Sequence, residues 1–297
     1  MRITNNILRR QSLSSVQSNL RAMTNAQQQV TSGLRIAKSS DDPTGAAEAM
    51  RASGSLRALD QHRRNVESAR SRMSSEETAL SSLTDLLTRA KELGIAQATD
   101  TASAGTRKIA GTELEQIFKS AIQLANTKHG DEFLFAGDRP DVSPYASTGG
   151  TTTLDFTSQA PTGTRTAQVS DALQVMTNAN GTTVFENTGV LAALRDLSKS
   201  LHGNDVAGVQ SSLTALDSAF SSVQQLLGDN GARANQLEVT AANMDAIEIN
   251  LQTLKSDLTE VDLEKAMTDL MARQTTFQAA MLATSKVMGM NLTDYLR

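Results

Sequence analysis

The stretch LEKAMTDLMARQTTFQAAMLATSKVM, residues 263–288, decides how this 297-residue chain folds. Leu263, Met267, Leu270, Gln274, Phe277, Met281, Thr284 and Met288 follow one another in alternating steps of four and three. That spacing, held over several heptads, belongs to a helix that packs lengthwise on another helix. The first stretch of the chain repeats it at Leu13, Val16, Leu20, Met23, Gln27, Val30 and Leu34. Matching apolar seams at the two ends predict a chain that runs outward, returns, and lays its ends side by side.

Between the seams the pattern stays helical. A first helix is expected over 5–32, stopped at Gly33, where glycine accepts a left-handed backbone. Asp41-Asp42-Pro43 reads as a helix start, with a carboxylate to cap free N–H groups and a proline that loses no hydrogen bond. The helix it opens runs to about Thr99 on a seam of Leu59, His62, Val66, Ala69, Met73, Glu76, Leu80, Leu83, Leu87 and Ala90. Another helix follows over 106–128. Pro140, Pro144 and Pro161 then fall in a segment with threonine-rich runs, Thr151-Thr152-Thr153-Leu154-Asp155-Phe156 and Thr182-Thr183-Val184-Phe185, which read as short strands between turns. Helices resume over 190–201 and 205–227. Gly228-Asp229-Asn230-Gly231 reads as a turn, and the chain is helical from Ala232 almost to its end.

The expected fold is mainly α, with long antiparallel helices in a nested coiled-coil or bundle layout and one small β-rich insertion at the far tip. The expected domains are a terminal coiled coil (1–40 and 256–297), an inner helical bundle (41–137 and 188–255) and a β-rich outer domain (138–187). The insertion reads as removable. Each terminal seam carries one polar member, Gln27 and Gln274. Opposing these glutamines would set Leu13 against Met288, Leu34 against Met267 and Thr4 against Arg297.

Composition narrows the function. The net charge is −4, and no basic patch with interleaved aromatics points to nucleic acid. The chain has no cysteine, which excludes a disulfide scaffold, a thiol nucleophile and a Cys-ligated zinc site. No apolar run approaches the roughly 20 residues of a membrane span, and the N-terminus lacks the apolar core of a cleaved export signal. His62, His129 and His202 stand apart from any second ligand at metal-binding spacing. No phosphate loop, nucleophile elbow or zinc-protease motif occurs. Neither an enzyme nor a cofactor is expected. The candidate functional residues are those of an assembly seam: Leu13, Val16, Leu20, Met23, Gln27, Val30, Leu263, Met267, Leu270, Gln274, Phe277, Met281 and Met288. Its methionines suit an interface that adapts to more than one surface.

Several separate motifs carry a resemblance. Thr31-Ser32-Gly33-Leu34-Arg35-Ile36 followed by Asp41-Asp42-Pro43, then Arg64-Asn65, then Gly231-Ala232-Arg233-Ala234-Asn235-Gln236-Leu237, resemble the bacterial flagellin family in order and position. The likeness covers Met1 to Gly137 and Val190 to Arg297. Phe133-Leu134-Phe135-Ala136-Gly137, Ser256-Asp257-Leu258-Thr259-Glu260-Val261-Asp262 and the terminal Leu292-Thr293-Asp294-Tyr295-Leu296 are similar to the branch of that family found at the hook–filament junction. The resemblance implies export without a cleaved signal peptide, an extracellular place in the flagellum, and terminal helices packed into an inner layer. It implies partners in copies of the chain itself, the first hook-associated protein and flagellin, with a cytosolic export chaperone on the C-terminal helix. A small flagellin that builds the filament itself is the alternative.

Overall fold

The computed structural model describes residues 2–147, 154–159, 162–170 and 173–293, apart from the side chains of 2–6, 8, 147 and 287–293. Thr151-Thr152-Thr153 of the expected strand Thr151 to Phe156, the side chain of Met288 and residues 294–297 lie outside that description, and with them the Thr4–Arg297 and Leu13–Met288 pairings; of the rest of that segment, Phe156 opens a strand. The chain is mainly α. Its helices are α1 (Arg2–Ser32), α2 (Pro43–Gln97), α3 (Ala104–Ala125), α4 (Val190–His202), α5 (Val206–Thr259) and α6 (Leu263–Thr293). Between α3 and α4 lie short strands β1 (Lys128–His129), β2 (Glu132–Phe133), β3 (Tyr145–Ser147), β4 (Phe156–Ser158), β5 (Thr166–Gln168) and β6 (Gln174–Met176). They pair as three antiparallel hairpins, with Ala146 across from Thr157 and Ala167 across from Val175. The chain divides into two compact units, Met1–Ala58 with Ala246–Arg297, and Leu59–Asp245.

In the second unit the α2 seam packs as its spacing predicts. Val66, Ala69, Met73, Glu76, Leu80, Leu83, Leu87 and Ala90 are all buried, while Leu59 and His62 are half-buried. The main core joins Leu80, Leu83, Leu87 and Ala90 to Leu114 and Phe118 of α3, Leu194 and Leu197 of α4, and Leu216 and Val223 of α5, while Val66, Ala69 and Met73 pack in a second cluster with Val169, Val175, Leu237 and Met244. Gly94 marks a close approach, since a Cβ there would stand 2.6 Å from Leu213 Cδ2.

The insertion is not an appendage. Phe135, Tyr145, Val184 and Phe185 belong to the same core as Leu114 and Phe118. Phe135 and Phe185 meet edge-on at 5.3 Å between centroids, and Tyr145 meets Phe185 at 5.7 Å. The Tyr145 hydroxyl donates to Glu186 at 3.0 Å. Removing 138–187 would therefore open the core, contrary to the expectation that the segment is separable.

Two local expectations fail for physical reasons. Thr182–Glu186 is a π-helical turn rather than a strand. Asn180 starts it, its side-chain oxygen accepting from the Thr183 N–H and hydroxyl, both at 2.8 Å. A strand would point the adjacent Val184 and Phe185 to opposite faces; the turn lets both be buried. Likewise, α5 runs straight through Gly228–Gly231. Asn230, buried in that stretch, donates to the Met73 carbonyl at 3.0 Å, so the expected turn instead anchors α5 to α2. Two helical glycines cost roughly 1 kcal/mol each; the buried Val223, Asn230 and Leu237 hold the helix in place on either side of them.

Candidate assembly interface

In the first unit α1 lies along α6, as the seams predict, yet little of either helix is covered. Among the described side chains of these two helices, only Ala26 and Ala266 are buried. Val16, Met23, Val30, Leu270 and Phe277 are half-buried. Leu13 (51% exposed), Leu20 (44%), Leu263 (52%), Met267 (49%) and Met281 (51%) face outward, as do Gln27 and Gln274. The structure thus brings about half of the expected seam into the helix pair and leaves the other half open.

The covered line on α1 is Ser12, Val16, Asn19, Met23, Ala26 and Val30. On α6 it passes through Ala266, Leu270, Phe277, Ala280 and Thr284. At about 100° per residue, each line is rotated by roughly 40–60° from the seam of large apolar residues. Small residues set the approach, because helix axes come closer where side chains are short. The missed signal is the small-residue column Ser12, Asn19, Ala26, spaced by sevens beside the leucine column. An outward apolar stripe on each helix remains, extended by Met271 and Leu282. Contiguous outward apolar stripes mark association surfaces.

The register also differs from the glutamine pairing. Leu34 stands across from Glu260 in an antiparallel bridge, not from Met267. Carried along both helices at equal rise, that bridge brings Gln27 level with about Met267 rather than Gln274. The offset is one heptad, about two turns, and a seven-residue repeat cannot see such a slip.

A distinct start for α6 was also missed. Asp262 caps it, its carboxylate accepting from the N–H groups of Glu264 at 3.0 Å and Lys265 at 3.2 Å. Asp42 does the same for α2, accepting from Gly45 N–H at 2.9 Å. That bond first, and Arg35 second, hold the Asp42 carboxyl below the usual range.

The charged clusters of the second unit are structural ties. Arg72, buried on α2, donates to Glu132 at 3.1 Å and to the Leu134 carbonyl at 2.9 Å, and Glu132 is also paired with Arg165. These contacts pin the β1–β2 hairpin to α2, and His129 adds one to Ser75 at 2.9 Å. His202 closes on Glu115 at 2.9 Å, and His62 sits 3.3 Å from the Gln168 carbonyl. Glu76 is nearly fully buried and accepts from Ala179 N–H at 3.0 Å. Burial pushes its pKa up to about 7, against the pull of that hydrogen bond and of Arg233 and Arg72. Among the described residues no group of three or more His, Cys, Asp or Glu could hold a metal ion, and no helix is long and apolar enough to cross a membrane.

Comparison with known proteins gives a consistent result. Residues 3–139 match the bacterial flagellin N-terminal helical region, and residues 213–296 match the bacterial flagellin C-terminal helical region. The chain is 28% identical to a flagellin of Bacillus subtilis over 320 residues, covering 100% of both. It is 22% identical to flagellar hook-associated protein 3 of Salmonella typhimurium over 312 residues, covering 98% of both. Its fold is similar to that of the flagellar junction protein FlgL from Legionella pneumophila, with a TM-score of 0.58 and 16% identity over 70% of this chain and 98% of that one.

Proposed function

The chain belongs to the bacterial flagellin family, and from that premise we propose that it is the adapter joining hook to filament at the flagellar junction. It is a structural component of the flagellum. In this reading copies of the chain associate through the terminal helices, meeting the first hook-associated protein on one side and flagellin on the other. The terminal domain (1–40 and 256–297) carries the assembly contacts, and the inner domain (41–137 and 188–255) carries the folded core with the outer segment 138–187 built onto it. The chain leaves the cell without a cleaved signal peptide, and a cytosolic chaperone covers the α6 seam until export.

The observation that carries the reading is the outward stripe of Leu13, Leu20, Leu263, Met267 and Met281 on a helix pair whose described side chains are fully buried only at Ala26 and Ala266. Such a pair finishes burying its apolar surface among neighbours, and contacts that need not close pairwise build helical assemblies. A junction role fits the segments 133–137 and 256–262. A small flagellin is the second reading, favoured by the full-length likeness to a filament flagellin.

Deleting the gene separates the two. Filaments shed from intact hooks support the adapter; hooks with no filament subunit left in the cell's output support the flagellin. Leu270→Asp tests the seam itself. It places a charge on the half-buried line of α6 and should abolish assembly while residues 59–245 melt as before. Normal assembly of that variant would count against the seam.

A further inference from the structure

The α1–α6 seam does not define its own register. Both helices repeat every seven residues, so a slip of one heptad, about 10 Å, still sets apolar against apolar. A register-setting element must lie outside the repeat, and the link between α1 and α2 provides one. Gly33, at φ +69°, takes the left-handed turn that ends α1. The chain then meets the end of α5, with Arg35 N–H donating to the Thr259 carbonyl at 2.7 Å and Val261 N–H donating to the Gly33 carbonyl at 3.0 Å. The Arg35 side chain spans the same junction. Its Nη2 donates to the Leu258 carbonyl at 2.6 Å and its Nη1 to Asp42 Oδ2 at 3.2 Å. Gln29 Nε2 reaches back to the Arg35 carbonyl at 3.3 Å.

We propose that Arg35 is a positioning residue that sets the register of α1 on α6, by tying the exit of α1 to the last carbonyls of α5 and the cap of α2. One guanidinium thus serves a helix C-terminus, where cations are favoured, and the carboxylate that caps another helix. Asp42 holds the fork in place within the link, and with Leu34 across from Glu260 the fork meets the Leu258 carbonyl; a heptad slip of α6 against α1 would carry that carbonyl out of reach. The Arg35–Asp42 pair is partly exposed, and an exposed ion pair alone is weak. The selectivity comes from the fork geometry, which lysine does not reproduce. Gly45 belongs to the same device, since a Cβ there would stand 2.5 Å from Asp42 Oδ2 and displace it.

The chain has no native cysteine, so spin labels at Gln28→Cys and Gln278→Cys, both exposed, report the register directly. The parent should give one inter-label distance. Arg35→Ala should add a second, shifted by about 10 Å for one heptad, with its population raised roughly tenfold, the scale of one charge-assisted hydrogen bond. Arg35→Lys should behave like Arg35→Ala, and the melting of residues 59–245 should not move. A single unshifted distance in Arg35→Ala overturns the proposal. So does a broad distribution, which would make Arg35 a docking contact without influence on register. Should Arg35→Ala fail to fold, Asp42→Asn removes one partner only and should shift the populations the same way; an unchanged distance there overturns the proposal equally.

Discussion

The inner bundle and the terminal helix pair are built from the same repeat and treat their large apolar residues in opposite ways. On α2, Leu80, Leu83 and Leu87 are fully enclosed, because α3, α4 and α5 supply the remaining sides. On α1 and α6 Ala26 and Ala266 turn inward, and Leu13, Leu20, Met267 and Met281 turn out. Two helices alone cover only a narrow line on each other, and the closest approach goes to the smallest side chains. A heptad pattern therefore says which residues will be covered when the structure is complete, and not whether one molecule completes it. The inner unit is a finished core, while the terminal pair is part of one.

The largest expected effect breaks this comparison most directly. Leu83→Ala removes a fully enclosed side chain and should destabilise the inner unit by about 2–5 kcal/mol in denaturant unfolding. A loss below about 1 kcal/mol would mean that the inner bundle is as open as the terminal pair.

Next in size is a pH effect confined to the inner unit. Glu76 has its pKa raised from 4.5 to about 7, chiefly by burial. A carboxyl raised in the folded state favours folding at low pH, and that contribution is lost as pH climbs from about 4.5 through about 7. Glu76→Gln keeps an acceptor for the Ala179 N–H and carries no charge. It should flatten the pH dependence in that window and stabilise the chain at pH 8 by about 1–3 kcal/mol. An unchanged slope between pH 4.5 and 7 would show that the buried carboxyl is not what titrates.

Much of the inner unit was legible because its periodicity and its burial coincide. The α2 seam could be read residue by residue, and the Asp42-Pro43 start and Gly33 stop follow from local backbone chemistry. What could not be read depended on contacts distant in sequence. Asn230 keeps α5 helical across two glycines by reaching Met73 on another helix. Asn180 turns Val184 and Phe185 together into a core that strand-like residues do not announce. In the terminal pair the seam was legible as a stripe, but its rotation toward Ala26 and Ala266 follows from having one partner rather than several. Its register follows from the Leu34–Glu260 bridge. Neither fact has a signature in a seven-residue repeat.

A third effect sharpens the picture of close packing in the finished core. Gly94→Ala would put a methyl 2.6 Å from Leu213 Cδ2 and 3.3 Å from Leu197 Cδ2. Helix propensity favours the change by about 1 kcal/mol, whereas overpacking costs about 1–3 kcal/mol. The balance should be a net loss of about 1 kcal/mol, seen as a lower melting temperature. At Gly54, where a Cβ meets nothing within 4 Å, the same substitution should stabilise by up to about 1 kcal/mol, from propensity alone. Equal responses at the two sites would deny that α2 is packed more tightly beside Leu213 than near its start.

The smallest effect on the monomer carries the most about its function. Leu20 is 44% exposed, so Leu20→Ala removes little buried surface in the isolated chain and should change its stability by less than about 1 kcal/mol. In an assembly that covers the stripe, the same side chain would be enclosed, and its loss should then cost about 2–5 kcal/mol per subunit contact. At about 1.4 kcal/mol per tenfold, the concentration at which the chain polymerises should rise by ten-fold or more while unfolding of the monomer stays where it was. Leu83→Ala should do the reverse, lowering monomer stability and affecting polymerisation only through the loss of folded chain. If Leu20→Ala polymerises like the parent, the outward face of α1 stays wet in the assembly, and the helix pair is completed from the α6 side alone.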